Sequence, residues 1–301
     1  MSSHSDNLML RARIIQAIRS FFESRGFMEV ETPLRIPANA PEEHIEPFRS
    51  EDLYLHTSPE LCMKRLLCRG HDRIFQICRC WRSEERGSRH IPEFTMLEWY
   101  RSNSDYEALM KDCELLLQHV AKVCLASDTI CYSGKVISVV DVFARVSVRD
   151  AFNDYTDVKM EDAVRDGSFD ELMVMRIEPE LFQDRPVLLF DYPMKMAALA
   201  RPKPGDSMVA ERFELYAGGL ELANGFSELN DPVEQRERFQ EANRKRNKNG
   251  LHALPIPEPF LRELATMPPS AGIALGVDRL VMLISGATRI DDVIAFTPEE
   301  L

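Results

Sequence analysis

The densest concentration of reactive side chains is WRSEERGSRHIPEFTMLEWYR, residues 81–101. Residues 73–84 alternate, with Ile74, Gln76, Cys78, Cys80, Arg82 and Glu84 on one parity, and residues 93–101 alternate again, with Phe94, Met96, Glu98 and Tyr100 on one parity. Period-2 patterning on both sides of a polar turn predicts two antiparallel strands. If their faces coincide, one surface carries a guanidinium, two carboxylates, an aromatic plate and a phenol. A guanidinium grips phosphate bidentately, a phenyl ring stacks on a base, and Glu98 with Tyr100 suits an ammonium group. The plain alternative is a solvated polar face, but such a face does not require an aromatic among its charges.

Two further segments carry candidate chemistry. In ERFELYAGGLELANGFSELNDP, Glu221 and Glu228 flank Asn224 and Gly225; paired carboxylates can share Mg²⁺ with substrate phosphates, although two surface glutamates near a turn would read the same way. In AGIALGVDRL, Gly272 and Gly276 permit close backbone approach, and Asp278 and Arg279 open a helix whose N–H groups could bind an anion; a salt-bridged strand-to-helix turn is the simpler reading.

The elements that must hold these groups are legible in outline. Ile14, Ile18, Phe21 and Phe22 recur at helical spacing and predict a helix over 8–25, stopped by Gly26. MEVETP reads as a strand ending at Pro33, and residues 35–51 as a Pro-rich acidic loop. Ser58-Pro59-Glu60 has the form of a helix start. Leu109–Val123 reads as a helix, residues 211–229 as strands around Gly218-Gly219, and Asp231-Pro232 as a helix start ending in NRKRNKNG. Residues 126–205 are the least legible, with a helix expected near 147–154 and a strand at Val187–Phe190. Helices interspersed with antiparallel strands predict an α+β domain, an antiparallel sheet flanked by helices.

Composition narrows the possibilities. The chain has 301 residues, 45% of them hydrophobic, with 37 Lys+Arg against 49 Asp+Glu and a net charge of −12. That balance argues against sequence-independent nucleic-acid binding. The first residues lack the apolar core of a secretory signal and no apolar run approaches a membrane span. Seven cysteines, with Cys78 and Cys80 one residue apart, do not form a zinc-knuckle spacing. They read as reduced core thiols of a cytoplasmic protein.

Taken together, the segments are collinear with a known family. RSEE followed by HIPEFTMLEWY resembles motif 2 of class II aminoacyl-tRNA synthetases in its lysyl form, GIALGVDRL resembles motif 3, and GFMEVETP with Pro33 resembles motif 1. LELANGFSELND is similar to the segment that binds ATP and Mg²⁺ in the lysyl enzymes, and HTSPELCMKRLL to their amino-acid-binding segment. The resemblance covers essentially the whole chain, 1–301, as a single catalytic domain in which 126–205 is a possible insertion. There is no room for the anticodon-binding domain of the lysyl enzymes. Stand-alone relatives of this length are the elongation factor P lysine ligases, which attach (R)-β-lysine to a lysine of that factor.

The resemblance implies that Arg82 holds the α-phosphate of ATP, Glu84 the adenine amino group and Phe94 one face of the ring. Arg279 would bind the γ-phosphate and stack on the other face. Ser83, His90, Leu222 and Gly276 complete the ATP site. Glu221 and Glu228 would hold Mg²⁺, with Glu228 also facing the amino acid. Ser58 and Glu60 would contact the substrate's amino group, Glu98 and Tyr100 the distal ammonium, and Asn224 and Ala274 the rest of the substrate. The implied partners are elongation factor P, lysine or β-lysine, and a second copy of the chain through motif 1, without tight tRNA binding and without a membrane. Two residues depart from the lysyl pattern: Ile91 stands where relatives have Asn, and Ala274 where lysyl synthetases have Gly. The same motifs also admit a truncated lysyl-tRNA synthetase paralogue acting on another acceptor, or a non-catalytic lysine sensor.

Overall fold

The structure, a computed structural model, describes residues 3–181, 183–197 and 199–301. In chain order the helices are α1 (His4–Glu23), α2 (Glu60–Cys68), α3 (Tyr106–Leu125), α4 (Val148–Tyr155), α5 (Met160–Asp166), α6 (Phe169–Leu172), α7 (Pro232–Lys248), α8 (Glu258–Leu264) and α9 (Val277–Ser285). The strands are β1 (Met28–Glu29), β2 (Arg35–Ile36), β3 (Arg49–Ser50), β4 (Leu53–Leu55), β5 (Arg73–Trp81), β6 (Glu93–Ser102), β7 (Thr129–Tyr132), β8 (Lys135–Ser138), β9 (Ala144–Ser147), β10 (Val187–Pro193), β11 (Pro202–Lys203), β12 (Asp206–Ala217), β13 (Leu220–Ser227) and β14 (Ser270–Gly276).

The α+β class holds, and one large sheet runs β1-β5-β6-β14-β13-β12-β10-β9, with β11 paired to β12. Its centre is antiparallel as expected. Its two ends are not: β1 pairs β5 and β10 pairs β9 in parallel. Parallel neighbours need a long crossover, and both have one. The chain between β1 and β5 contains α2, and that between β9 and β10 contains α4 to α6. Thus the stretch 126–205 joins the main sheet through β9 and β10. It also adds its own apolar cluster, including Phe152, Phe169, Ile177 and Leu189.

The helix termini follow local chemistry. Ser3 and Asp6 form a capping box, so α1 begins earlier than its apolar stripe. Asp231 caps α7 ahead of Pro232, and Lys245, Arg246 and Lys248 occupy its last turn, where cations complement the helix dipole.

Alternation along each central strand sends one set of side chains into the helical layer. Phe75, Leu97, Trp99, Leu215, Ala223, Ile273 and Leu275 belong to the same buried cluster as residues of α1, α3 and α9. The opposite parity faces the other side of the sheet. Register aligns Gln76, Glu98, Ala274 and Asn224 as one row across four strands, with Ile74, Tyr100, Gly272 and Phe226 as the next.

The loop over that second face is tied down by Arg246 of α7, whose side chain is fully buried. Its guanidinium donates to the carbonyls of Glu42 (2.9 Å), Ile45 (2.6 Å) and His252 (2.9 Å) and to the Glu46 carboxylate. Arg246→Leu should therefore cost about 3–5 kcal/mol, the usual penalty for breaking a buried charge pair, and urea denaturation would measure it. Wild-type stability would mean that the loop is held by something else.

Candidate active site

The strand pair β5–β6 places Cys78 opposite Met96 and Cys80 opposite Phe94, so the two alternating faces coincide. The alternation of β5 ends at Trp81, however, and Arg82 enters the hairpin turn with its N–H bonded to the Pro92 carbonyl at 2.9 Å. Glu84, at φ +67°, is exposed and does not line the cavity, contrary to its expected strand face. Ser83 is likewise off the cavity, its N–H donating to Glu46 O at 2.8 Å. Glu85, one residue further on, lines the cavity instead.

That cavity, about 310 Å³, is walled by Arg82, Phe94, His90, Glu221, Leu222, Asn224, Ala274, Gly276 and Arg279 among others. The Arg82 guanidinium lies 5.2 Å from the Phe94 ring centroid, and its buried Nε has no hydrogen-bond acceptor. A buried unpaired donor is costly, and an anionic oxygen in the cavity would satisfy it. Arg279 donates to Glu221 O at 2.7 Å and Glu221 Oε2 at 3.3 Å, and its other nitrogen contacts His90 Nε2. Burial and the Arg279 charge hold the His90 imidazole below its ordinary pKa, hence neutral at pH 7.

A second group of polar side chains lies buried further along the same face. Glu98, 1% exposed, accepts from Ser58 Oγ at 2.6 Å and from the Tyr100 hydroxyl at 2.7 Å. Ser58 also caps the Glu60 N–H at 2.9 Å, fixing the start of α2. Lys64, four residues on, places Nζ 2.6 Å from Glu60 Oε1 and 2.5 Å from Glu228 Oε2. Glu228 Oε1 is buried without a partner. Burial raises the Glu98 carboxyl to about 8, with Glu60 adding to the rise. Glu228 rises to about 8 by burial despite the opposing charge of Lys64. Glu42, which lines both the main cavity and a small pocket beside Ser58 and Glu60, is pushed up to about 7 by desolvation, with Arg82 opposing.

The arrangement is thus two-ended: guanidiniums and an aromatic plate at one end, an acidic buried chamber at the other. Gly272 at the chamber row and Gly276 at the cavity are four strand residues apart, roughly 13 Å at ~3.3 Å per residue. This suits a nucleotide and a cationic amino acid lying end to end. A family model described as tRNA synthetases class II (D, K and N) matches residues 1–300. The chain belongs to this class II synthetase family. Relatives named elongation factor P–(R)-beta-lysine ligase include proteins from Erwinia tasmaniensis, 44% identical over 97% of this chain and 94% of the relative, and from Edwardsiella ictaluri, 43% identical over 97% and 94%. A third, from Salmonella typhi, is 41% identical over 98% and 96%.

One expectation drawn from the class II resemblance is corrected. Glu221 and Glu228 cannot hold one metal ion together. They sit seven residues apart on and just after β13, roughly 23 Å along an extended strand, with Glu221 beside Arg279 and Glu228 beside Lys64. The carboxylates nearer to Glu221 are Glu214, raised by burial and by Glu221, and Glu178, raised by burial and by Glu214.

Sequence reasoning missed Glu42, Lys64, Glu214 and the Arg89 lining of the cavity. Lys64 left a signal, since a lysine at i+4 from Glu60 on the buried face of α2, beside Leu61, Met63 and Leu67, needs a counter-charge. Glu42 left none, because its loop is positioned by Arg246, two hundred residues away.

Two tests follow from the chamber. A Cβ on Gly272 would lie 2.2 Å from the Tyr100 ring and 2.4 Å from Glu228 Oε1. Gly272→Ala should raise KM for the amino acid about tenfold or more, the discrimination expected from a methyl-sized change in a pocket, with KM for ATP unchanged; steady-state kinetics would show it, and equal effects on both constants would contradict it. The second test is pH. In the folded chain Glu98 and Glu228 keep protons up to about pH 8, whereas unfolded glutamates lose them near 4.3. The folded state binds more protons between those values, so stability should fall as pH rises from about 4.3 to about 8 and then level off. A bound ammonium favours the ionised carboxylates, so substrate affinity should rise over the same range. Calorimetry in buffers of different ionisation enthalpy should detect proton release on binding, and proton uptake would refute this assignment.

Proposed function

We propose that this chain activates (R)-β-lysine, or lysine, with ATP as an aminoacyl adenylate and transfers the acyl group to a lysine side chain of elongation factor P. The observation that carries this reading is the orphaned, buried Glu228 Oε1 beside Glu98 and Tyr100, an acidic site that a cationic substrate group would complete. The names and near full-length coverage of the curated relatives support the acceptor.

The substrate carboxylate attacks the α-phosphorus and pyrophosphate leaves, so the protein aligns reactants and stabilises charge rather than supplying a nucleophile. Arg82, with its unpaired Nε, would hold the α-phosphate, and Arg279, exchanging its His90 and Glu221 contacts, the γ-phosphate. Phe94, His90, Leu222 and Gly276 would form the nucleotide walls. Ser58 and Glu60 would take the substrate's amino group, Glu98, Tyr100 and Glu228 its distal ammonium, and Asn224 and Ala274 the middle. Mg²⁺, entering with the phosphates, would supply charge neutralisation. Glu221, a hard-oxygen donor in the cavity with Glu214 and Glu178 near it, would be the residue to meet it. We further propose a single catalytic domain over 1–301, a homodimer through the Pro33 segment, and a cytoplasmic setting. Among the described residues no helix is long and apolar enough to cross a membrane.

Intact-mass analysis of elongation factor P after incubation with enzyme, ATP and each lysine isomer tests the reading. One added lysyl group, larger in yield for β-lysine, is expected; modification of tRNA but not of the factor would favour the truncated-synthetase alternative. Arg82→Ala should lower pyrophosphate exchange by roughly 10²–10³, the loss seen when one charge-stabilising donor is removed. Ala274→Gly should raise kcat/KM for α-lysine over β-lysine by roughly 10–200-fold, a methyl-sized discrimination, and an unchanged isomer ratio would remove Ala274 as the selecting residue.

A further inference from the structure

His56, Cys78 and Cys80 form a compact cluster that the adenylation chemistry does not use. Cys78 and Cys80 project from one face of β5, and their sulfurs are 3.9 Å apart. His56 Nε2 lies 3.9 Å from Cys78 Sγ and 3.8 Å from Cys80 Sγ. The three are brought together by an incomplete sheet edge. β1 pairs with Ile74 and Phe75, and among the described residues the rest of the outer edge of β5 has no strand beside it. The segment ahead of α2 covers it, with the Trp81 N–H donating to His56 O at 3.1 Å. His56 and Cys80 are both buried.

A tetrahedral zinc ion with Zn–S near 2.3 Å and Zn–N near 2.0–2.1 Å separates two sulfurs by about 3.8 Å and a nitrogen from a sulfur by about 3.6 Å. The observed triangle departs from those edges by only a few tenths of an ångström. We propose that His56 Nε2, Cys78 Sγ and Cys80 Sγ form a binding site for a thiophilic divalent cation of the Zn²⁺ type, with water in the fourth position. Two sulfurs and one imidazole exclude Mg²⁺ and Ca²⁺, which require oxygen, so this site is separate from any magnesium that accompanies ATP.

In the metal-free chain His56 Nε2 donates to the Arg79 carbonyl at 2.7 Å. Metal binding replaces that proton and turns the ring from the carbonyl toward the sulfurs. A histidine whose only task was to cap this carbonyl would need neither thiol. The alternative to a metal site is therefore specific: a core histidine beside two incidental cysteines.

The full-length chain, chelator-treated and reduced, would be titrated with Co²⁺ as a spectroscopic probe and then with Zn²⁺. One equivalent of Co²⁺ per chain should give a thiolate-to-cobalt charge-transfer band with tetrahedral d–d bands, and Zn²⁺ should bleach both. Cys78→Ser, Cys80→Ser and His56→Gln should each weaken binding by more than the roughly 10–100-fold lost with an outer-sphere partner. His56→Gln retains an amide donor for Arg79 O, so its loss of metal is not a loss of the cap. Cys131→Ser, which removes the exposed thiol of β7, should change nothing. No charge-transfer band in the wild-type chain, or an undiminished band in Cys78→Ser, overturns the proposal.

Discussion

Glu98 and Glu228 are buried beside the half-buried Glu60, and among the described residues Lys64 is the cation that bridges Glu60 and Glu228. Taking carboxylates out of water is expensive, and the expense appears as protons held by Glu98 and Glu228 close to neutral pH. Much of the surrounding structure serves to keep that region small and dry. Gly272 lets Tyr100 and Glu228 approach the backbone where any side chain would collide. Ser58 both caps α2 and donates to Glu98, so the helix that carries Lys64 and the strand that carries Glu98 are fixed by one hydroxyl. A cation entering the chamber would supply a second positive charge and offset part of that desolvation cost.

The other end is held by a different device. Asp278, buried, accepts from Arg11 at 2.6 Å and from the Thr95 N–H at 2.7 Å. That joins the first turn of α9 to α1 and β6, and so fixes the backbone of Arg279 while its guanidinium rests on replaceable acceptors, His90 and Glu221. Between the two ends β14 acts as a ruler, because its residues pair with β6 on one side and β13 on the other. Ala274 lies at its midpoint, between Glu98 and Asn224. Its methyl group lines the cavity at that midpoint.

What could be read from the sequence was what alternation and caps encode. The shared face of Phe94, Met96, Glu98 and Tyr100, the β12–β13 hairpin at Gly218-Gly219 and the Asp231 start of α7 all follow from local pattern, and the structure has them. Glu84 was misplaced because a two-residue period was extended through a turn in which its φ is +67°. Pairing Glu221 with Glu228 overlooked the length of a strand. Glu42 and Arg246 depend on a contact between an N-terminal loop and α7, and local periodicity carries no information about such contacts. The parallel ends of the sheet were hidden for the same reason: β1 has only two residues, and its partner lies beyond a helix.

Ile91 shows how the family's nucleotide site can change without losing its logic. Where the lysyl motif that this segment resembles carries an asparagine, this chain has an apolar residue, 4% exposed, that belongs to the main core and also walls the cavity. The missing amide is worth one hydrogen bond, ~0.5–1.5 kcal/mol. Burying a branched aliphatic side chain is worth about 1.5–3 kcal/mol, so the exchange leaves the hairpin at least as well anchored as before. The charged donors of the cavity wall are then the guanidiniums of Arg82, Arg89 and Arg279. Charge-assisted bonds from these groups are roughly twice as strong as a neutral amide's. The cavity's charged donors are therefore residues that the substitution does not touch. What Ile91 alters is the apolar side of the cavity, beside Phe94.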